Sequence, residues 1–161
     1  GVGDHLHAQV GLAVGRPTAH RGSDTGGDRV VEEVQVEDAD IVLVAYGTTA
    51  RIVKSAIGML RAEGVKVGLI RPITLYPFPE ASIARLPERV KNLLVVEMSM
   101  GQMIDDVKIA NEGHRLVHFI GRTGGMIPIP KVIADTVKHI LAEHHAGDAA
   151  HVAVGVQMED L

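Results

Sequence analysis

The chain has 161 residues, 46% of them hydrophobic and 22% charged, which is enough for one well-buried core and too little for two. A net charge of -4 and 2% aromatic residues supply neither the basic surface nor the stacking platforms of a nucleic-acid binder. With no cysteine, the chain has no disulfide, thiolate zinc site, cysteine nucleophile or cysteine-held iron–sulfur cluster of its own.

No apolar run reaches the length of a membrane span, and the first residues carry neither a basic start nor a hydrophobic signal core, so a cytoplasmic location is expected. The chain starts at Gly1 without an initiator methionine, which fits processing or a cloning choice as well as a piece cut from a longer polypeptide. Residues 1–28 are rich in Gly, His, Thr and Asp without a sustained period and read as an irregular leader. His5 and His7 share one face of an extended segment, but no third ligand follows at short spacing, so no metal site is assigned.

From 29 to 37, Val34 and Val36 alternate with Glu33, Gln35 and Glu37, the pattern of a half-exposed edge strand. Residues 41–45 are apolar without alternation, as in a strand covered on both faces, and Gly47 and a helix start follow. Thr48 or Thr49 is expected to cap that helix. Over residues 48–63, Ile52, Val53, Ala56, Met59 and Leu60 recur at helical spacing, and Gly64 stands where a left-handed cap belongs. Residues 65–71 return as a strand, so 40–71 read as one parallel strand–helix–strand unit.

Pro72, Pro77 and Pro79 interrupt regular structure, and a short helix from Glu80 is expected to stop near Pro87. Residues 93–97 form the next strand, 102–111 a helix burying Met103, Ile104, Val107 and Ala110, and 116–120 a further strand after Gly113. A glycine-rich turn at 121–125 leads into a helix over 131–143 with Ile133, Val137, Ile140 and Leu141 inward. Residues 144–161 read as a tail, leaving 29–143 as the folded domain.

Alternating strands and helices give an open, mostly parallel sheet between helices, whose ligands lie beyond the carboxyl ends of the strands. No Walker-type loop or Gly-x-Gly-x-x-Gly fingerprint follows any strand. Arg122, Thr123, Gly124 and Gly125 form either an anion-wrapping turn or a plain tight turn before a proline. Glu97, ending an apolar strand, is either a proton-transfer group or a capped structural carboxylate. Met98, Met100 and Met103 suit an interface as well as a core. Tyr46 and Thr48 border the first turn, and His139, His144 and His145 crowd the end of the last helix, where imidazolium favours the dipole.

Four ordered blocks carry a family resemblance: Asp-Ile-Val-Leu-Val-Ala-Tyr-Gly-Thr at 40–48, Val-Gly-Leu-Ile-Arg-Pro-Ile-Thr-Leu-Tyr-Pro-Phe-Pro at 67–79, Leu-Val-Val-Glu-Met-Ser-Met-Gly-Gln-Met at 94–103 and Gly-Arg-Thr-Gly-Gly at 121–125. Together they resemble the carboxyl-terminal domain of the alpha subunit of 2-oxoacid:ferredoxin oxidoreductases, of the 2-oxoisovalerate or 2-oxoglutarate type. The resemblance implies a transketolase carboxyl-terminal fold: α/β, three layers α/β/α, with a five-stranded, mostly parallel sheet and one antiparallel edge strand. It also implies a crevice between Tyr46, Gly47 and Thr48 on one wall and Glu97, Met98 and Ser99 on the other.

Members of this family decarboxylate a 2-oxoacid on thiamine diphosphate with Mg, pass electrons through an iron–sulfur cluster to ferredoxin, and form an acyl-coenzyme A. The thiamine motif is absent here, so the expected role is an assembly and interface domain with no catalytic residue and no cofactor bound alone. Its partners would be the beta subunit and other domains and subunits of an oligomer, with ferredoxin reached indirectly. The resemblance further suggests a coenzyme A phosphate as the anion for Arg122 and its glycines. Two other readings stay open: a stand-alone small-anion-binding module, and the homologous domain of a transketolase or 2-oxoacid dehydrogenase beta-type subunit.

Overall fold

The computed structural model describes residues 19–23, 30–121 and 128–146. Along the chain these form β1 (Ala19–Ser23), β2 (Val30–Val34), β3 (Ile41–Val44), α1 (Gly47–Ala62), β4 (Val67–Pro72), α2 (Glu80–Ala84), β5 (Asn92–Glu97), α3 (Met103–Asn111), β6 (Leu116–Gly121) and α4 (Pro130–Ala146). The strands make one sheet in the order β1-β2-β4-β3-β5-β6. β4, β3, β5 and β6 run parallel, while β2 is antiparallel to β4. This is the expected mostly parallel sheet with its antiparallel strand. Residues 19–23, part of the stretch read as an irregular leader, add β1 antiparallel to β2, so the described sheet has six strands and its outer edge is β1.

Two apolar layers sandwich the sheet. Ile41, Leu43, Leu69, Leu94 and Val96 point to one face, where α1 supplies Val53, Ala56 and Leu60 and α4 supplies Ile133, Val137 and Ile140. Val42, Val44, Ile70, Leu93 and Val95 point to the other, against Ile83 of α2 and Met103, Val107 and Ala110 of α3. Both faces of the central strands are therefore covered, which is why their apolar runs lack alternation. The expected inward faces hold with two changes on α1: Ile57 is buried, and Met59 is exposed.

The alternation of β2 breaks at Gln35. Its backbone takes a positive φ of 51°, so Val36 joins Val31 on the α2–α3 face while Val34 faces α1 and α4. A strict two-residue period through 37 would have placed Val34 and Val36 together.

Helix ends show local chemistry that differs from the expected caps. Gly47 turns at φ +56°, which leaves Tyr46 as the residue before the first turn of α1, without a side-chain cap. Thr48 is exposed and Thr49 buried, and neither caps the helix. At the other end Gly64 is left-handed as expected, with its N–H donating to Arg61 O at 3.0 Å and Val65 N–H to Leu60 O at 2.9 Å. That pair of bonds satisfies the last carbonyls of the helix.

Candidate functional site

β3 and β5 are neighbours in the sheet, yet the chain leaves them in opposite directions. After β3 it turns into α1 on one face and returns as β4; after β5 it turns into α3 on the other face and returns as β6. Between two such departures the connecting loops separate and leave a notch. The two loops flanking this switch are the turn at Tyr46 and the loop from Glu97 to Ser99, the stretches named from the resemblance.

On the first wall, Tyr46 is half-buried, while Gly47 and Thr48 are exposed. The second wall begins with Glu97, which is 0% exposed. One of its oxygens accepts the backbone N–H of Met103 in a short hydrogen bond, and the other accepts the Ser99 hydroxyl at 3.2 Å. Burial pushes the Glu97 carboxyl above its ordinary value; the Met103 and Gln102 amides and the Ser99 hydroxyl pull the other way. Of the two readings of this residue, the geometry supplies the structural one: the carboxylate satisfies an otherwise orphaned amide at the start of α3. No other titratable side chain stands among residues 45–50 and 98–104 except Tyr46.

β6 completes the same edge. Gly121 pairs with Glu97 across the β5–β6 ladder, and a Cβ at Gly121 would lie 2.7 Å from the carbonyl oxygen of Ser99. Only a glycine lets the two strand ends approach so closely. Arg122, Thr123, Gly124 and Gly125 lie outside the described residues. The methionines divide: Met103 is core, whereas Met98 and Met100 are exposed beside the notch.

The histidines named from the sequence do not join this site. His139 stands 3.2 Å from Glu143 on an exposed turn of α4, and His144 is on the same helix; the side chain of His145, like His5 and His7, lies outside the described residues. Among the described residues no three His, Asp or Glu side chains converge as metal ligands. No described helix is long and apolar enough to cross a membrane.

Sequence reading passed over the opposite edge of the sheet. There a concavity of about 330 Å³ is lined by Leu86, Lys91, Asn111, His114 and Arg115, among others. Arg115 Nη2 donates to Leu86 O at 2.6 Å, and Asn111 Nδ2 donates to Arg115 O at 2.8 Å. On the other face of the sheet, toward α4, Asn92 Oδ1 lies 3.0 Å from His118 Nε2, and burial pushes that imidazole below its ordinary value. These polar residues sit singly within apolar strands or at helix ends, so no spacing marks them in advance.

Comparison with known proteins agrees with this architecture. The chain is 48% identical over 112 residues to ketoisovalerate oxidoreductase subunit VorB of Methanothermobacter marburgensis, covering 70% of this chain and 32% of that protein. It is 38% identical over 107 residues to 2-oxoglutarate synthase subunit KorA of the same organism, covering 66% of this chain and 28% of that one. The chain thus spans about a third of the length of these curated relatives. Among solved structures, 2-oxoglutarate:ferredoxin oxidoreductase from Magnetococcus marinus, with 2-oxoglutarate, coenzyme A and succinyl-CoA bound, superposes with a TM-score of 0.60 at 28% identity. That match covers 68% of this chain and 19% of the other. Residues 39–133, from the turn before β3 into the first turn of α4, match the pyruvate:ferredoxin oxidoreductase core domain II family. The chain belongs to that family and is a subunit domain of the 2-oxoacid:ferredoxin oxidoreductase type.

Proposed function

We propose that this chain is the assembly and interface domain of the alpha subunit of a cytoplasmic 2-oxoacid:ferredoxin oxidoreductase. It contributes one edge of a site whose reacting groups come from the beta subunit and other domains. Thiamine diphosphate, Mg and the iron–sulfur cluster belong to those other parts. Glu97 carries this reading: the acid at the switch point is occupied by the Met103 amide and the Ser99 hydroxyl, so the notch offers shape and hydroxyls, not a free base. Activity therefore requires the rest of the complex. With added thiamine diphosphate, coenzyme A and ferredoxin, the isolated chain is expected to decarboxylate no 2-oxoacid, and turnover is expected only when the other domains and subunits are supplied. Turnover by the chain alone would refute this partition.

Within that complex we assign Arg122, with Thr123, Gly124 and Gly125, to an anion, the coenzyme A phosphate. Support comes from Gly121, the last residue of β6, which pairs with Glu97 at the carboxyl end of the sheet and lies close to the Ser99 carbonyl. A guanidinium and glycine amides are the donors such an anion takes. In the assembled enzyme, Arg122→Ala is expected to raise the KM for coenzyme A about tenfold or more with the 2-oxoacid KM unchanged. An unchanged coenzyme A KM would remove the assignment.

A further inference from the structure

The loops after β3, β4 and β5 stand side by side along the carboxyl edge of the sheet, and none of residues 45–50, 72–79 or 98–104 is charged. Charges resume only at Arg51, Glu80 and Asp105. Into this rim the fold exposes Ile73, Leu75 and Tyr76 on one side of the Tyr46 turn and Met98 and Met100 on the other. Tyr76 is 94% exposed and Met100 75%, so neither serves the core of this chain. The first loop is also held in place. Val30 N–H donates to Thr74 Oγ1 at 3.0 Å, Ile73 and Thr74 N–H both donate to Val30 O, and Phe78 is buried at its far end. Its apolar side chains are presented on a braced backbone.

Roughly a quarter of the residues of an average soluble domain are charged, whereas the centre of an interface is depleted in charge and enriched in Tyr and Met. The rim has the second composition. A transient, charge-steered partner would find no complementary residues on it. The curated relatives, by contrast, carry about two-thirds of their length outside the region this chain matches. A domain contact within one subunit needs no steering, because tethering supplies the concentration.

We propose that the rim formed by Ile73, Leu75, Tyr76, Met98 and Met100 packs against the rest of the same subunit, onto an apolar surface of that other domain. This rests on the assembly role above and names the surface and the occupant. Docking there closes the open side of the notch, since both lie on the same edge of the sheet.

Hydroxyl-radical footprinting of the assembled oxidoreductase tests the contact. Tyr76, Met98 and Met100 are expected to oxidise severalfold more slowly than in the 161-residue chain alone, while Met59 on α1, also exposed, reacts similarly in both. A benzophenone side chain at position 76 is expected to cross-link to the remainder of the subunit. Tyr76→Asp is expected to leave the chain's own melting temperature unchanged and to impair assembly, with Met59→Asp assembling normally. Equal oxidation of the rim in both states, or cross-linking instead to a second copy of this chain or to a different subunit, overturns the inference and leaves the assembly role standing. Failure of the unaltered chain to enter any oxidoreductase complex overturns both.

Discussion

Glu97 joins the chemistry of the notch to the stability of the fold. Replacing it with Ala leaves the Met103 amide and the Ser99 hydroxyl without their acceptor, a loss of about 1–3 kcal/mol. Gln keeps an amide oxygen for Met103 and is expected to cost less; urea unfolding of the two variants at neutral pH measures the difference. Because burial raises the Glu97 carboxyl in the folded state, the native protein retains this proton at pH values where the unfolded chain has released it. Stability should therefore fall as pH rises from the ordinary value of 4.5 through the raised folded one, and the Gln variant should lose that slope. Thr48 provides the contrast. Exposed and uninvolved in capping α1, it is expected to tolerate Ala within about 0.5 kcal/mol in the same measurement.

Among the elements, the joint between β2, β4 and the end of α1 is the most demanding. Arg61 pairs with both oxygens of Asp38, at 2.7 and 2.8 Å, and donates to Gln35 O and Val67 O, each at 2.9 Å. One guanidinium thus fixes the turn after β2, the start of β4 and the last turn of α1. Arg61→Lys keeps the charge but cannot reproduce the fork, and is expected to lower the unfolding free energy by about 1–2 kcal/mol. The same joint explains Gly68, where a Cβ would lie 2.8 Å from Gln35 O and 3.0 Å from Val36 Cα. Gly68→Ala must push two backbones apart, at about 1–3 kcal/mol, and a loss of protection at Val34 and Leu69 amides in hydrogen exchange would locate the disturbance. Neither effect is visible in the hydrophobic pattern, which records only that β2 and β4 are strands.

For the whole molecule, the sheet divides one core into two layers that share backbone but few side-chain contacts. Ile57 and Ile83 lie in different layers, so Ile57→Val and Ile83→Val are expected to cost about 0.5–1.5 kcal/mol each and to add within about 0.5 kcal/mol in a double-mutant cycle. From β2 onward the sequence by itself determined the succession of strands and helices, because apolar runs, helical spacing and glycine stops are local records of burial; β1, in the stretch read as a leader, was missed. The four motif blocks of the sequence also carried the family resemblance, which the match over residues 39–133 shows. Tertiary structure decided the rest. Val36 changes face because Gln35 adopts a positive φ that no period contains. The threonines after β3 leave α1 uncapped because Gly47 sets where the helix begins. Met103 is core while Met98 and Met100 face solvent, although all three stand in one motif. Glu97 accepts the first amide of α3 because Met103, six residues later, folds back onto it. Each outcome depends on which distant group arrives beside a residue, and that is a property of packing in three dimensions.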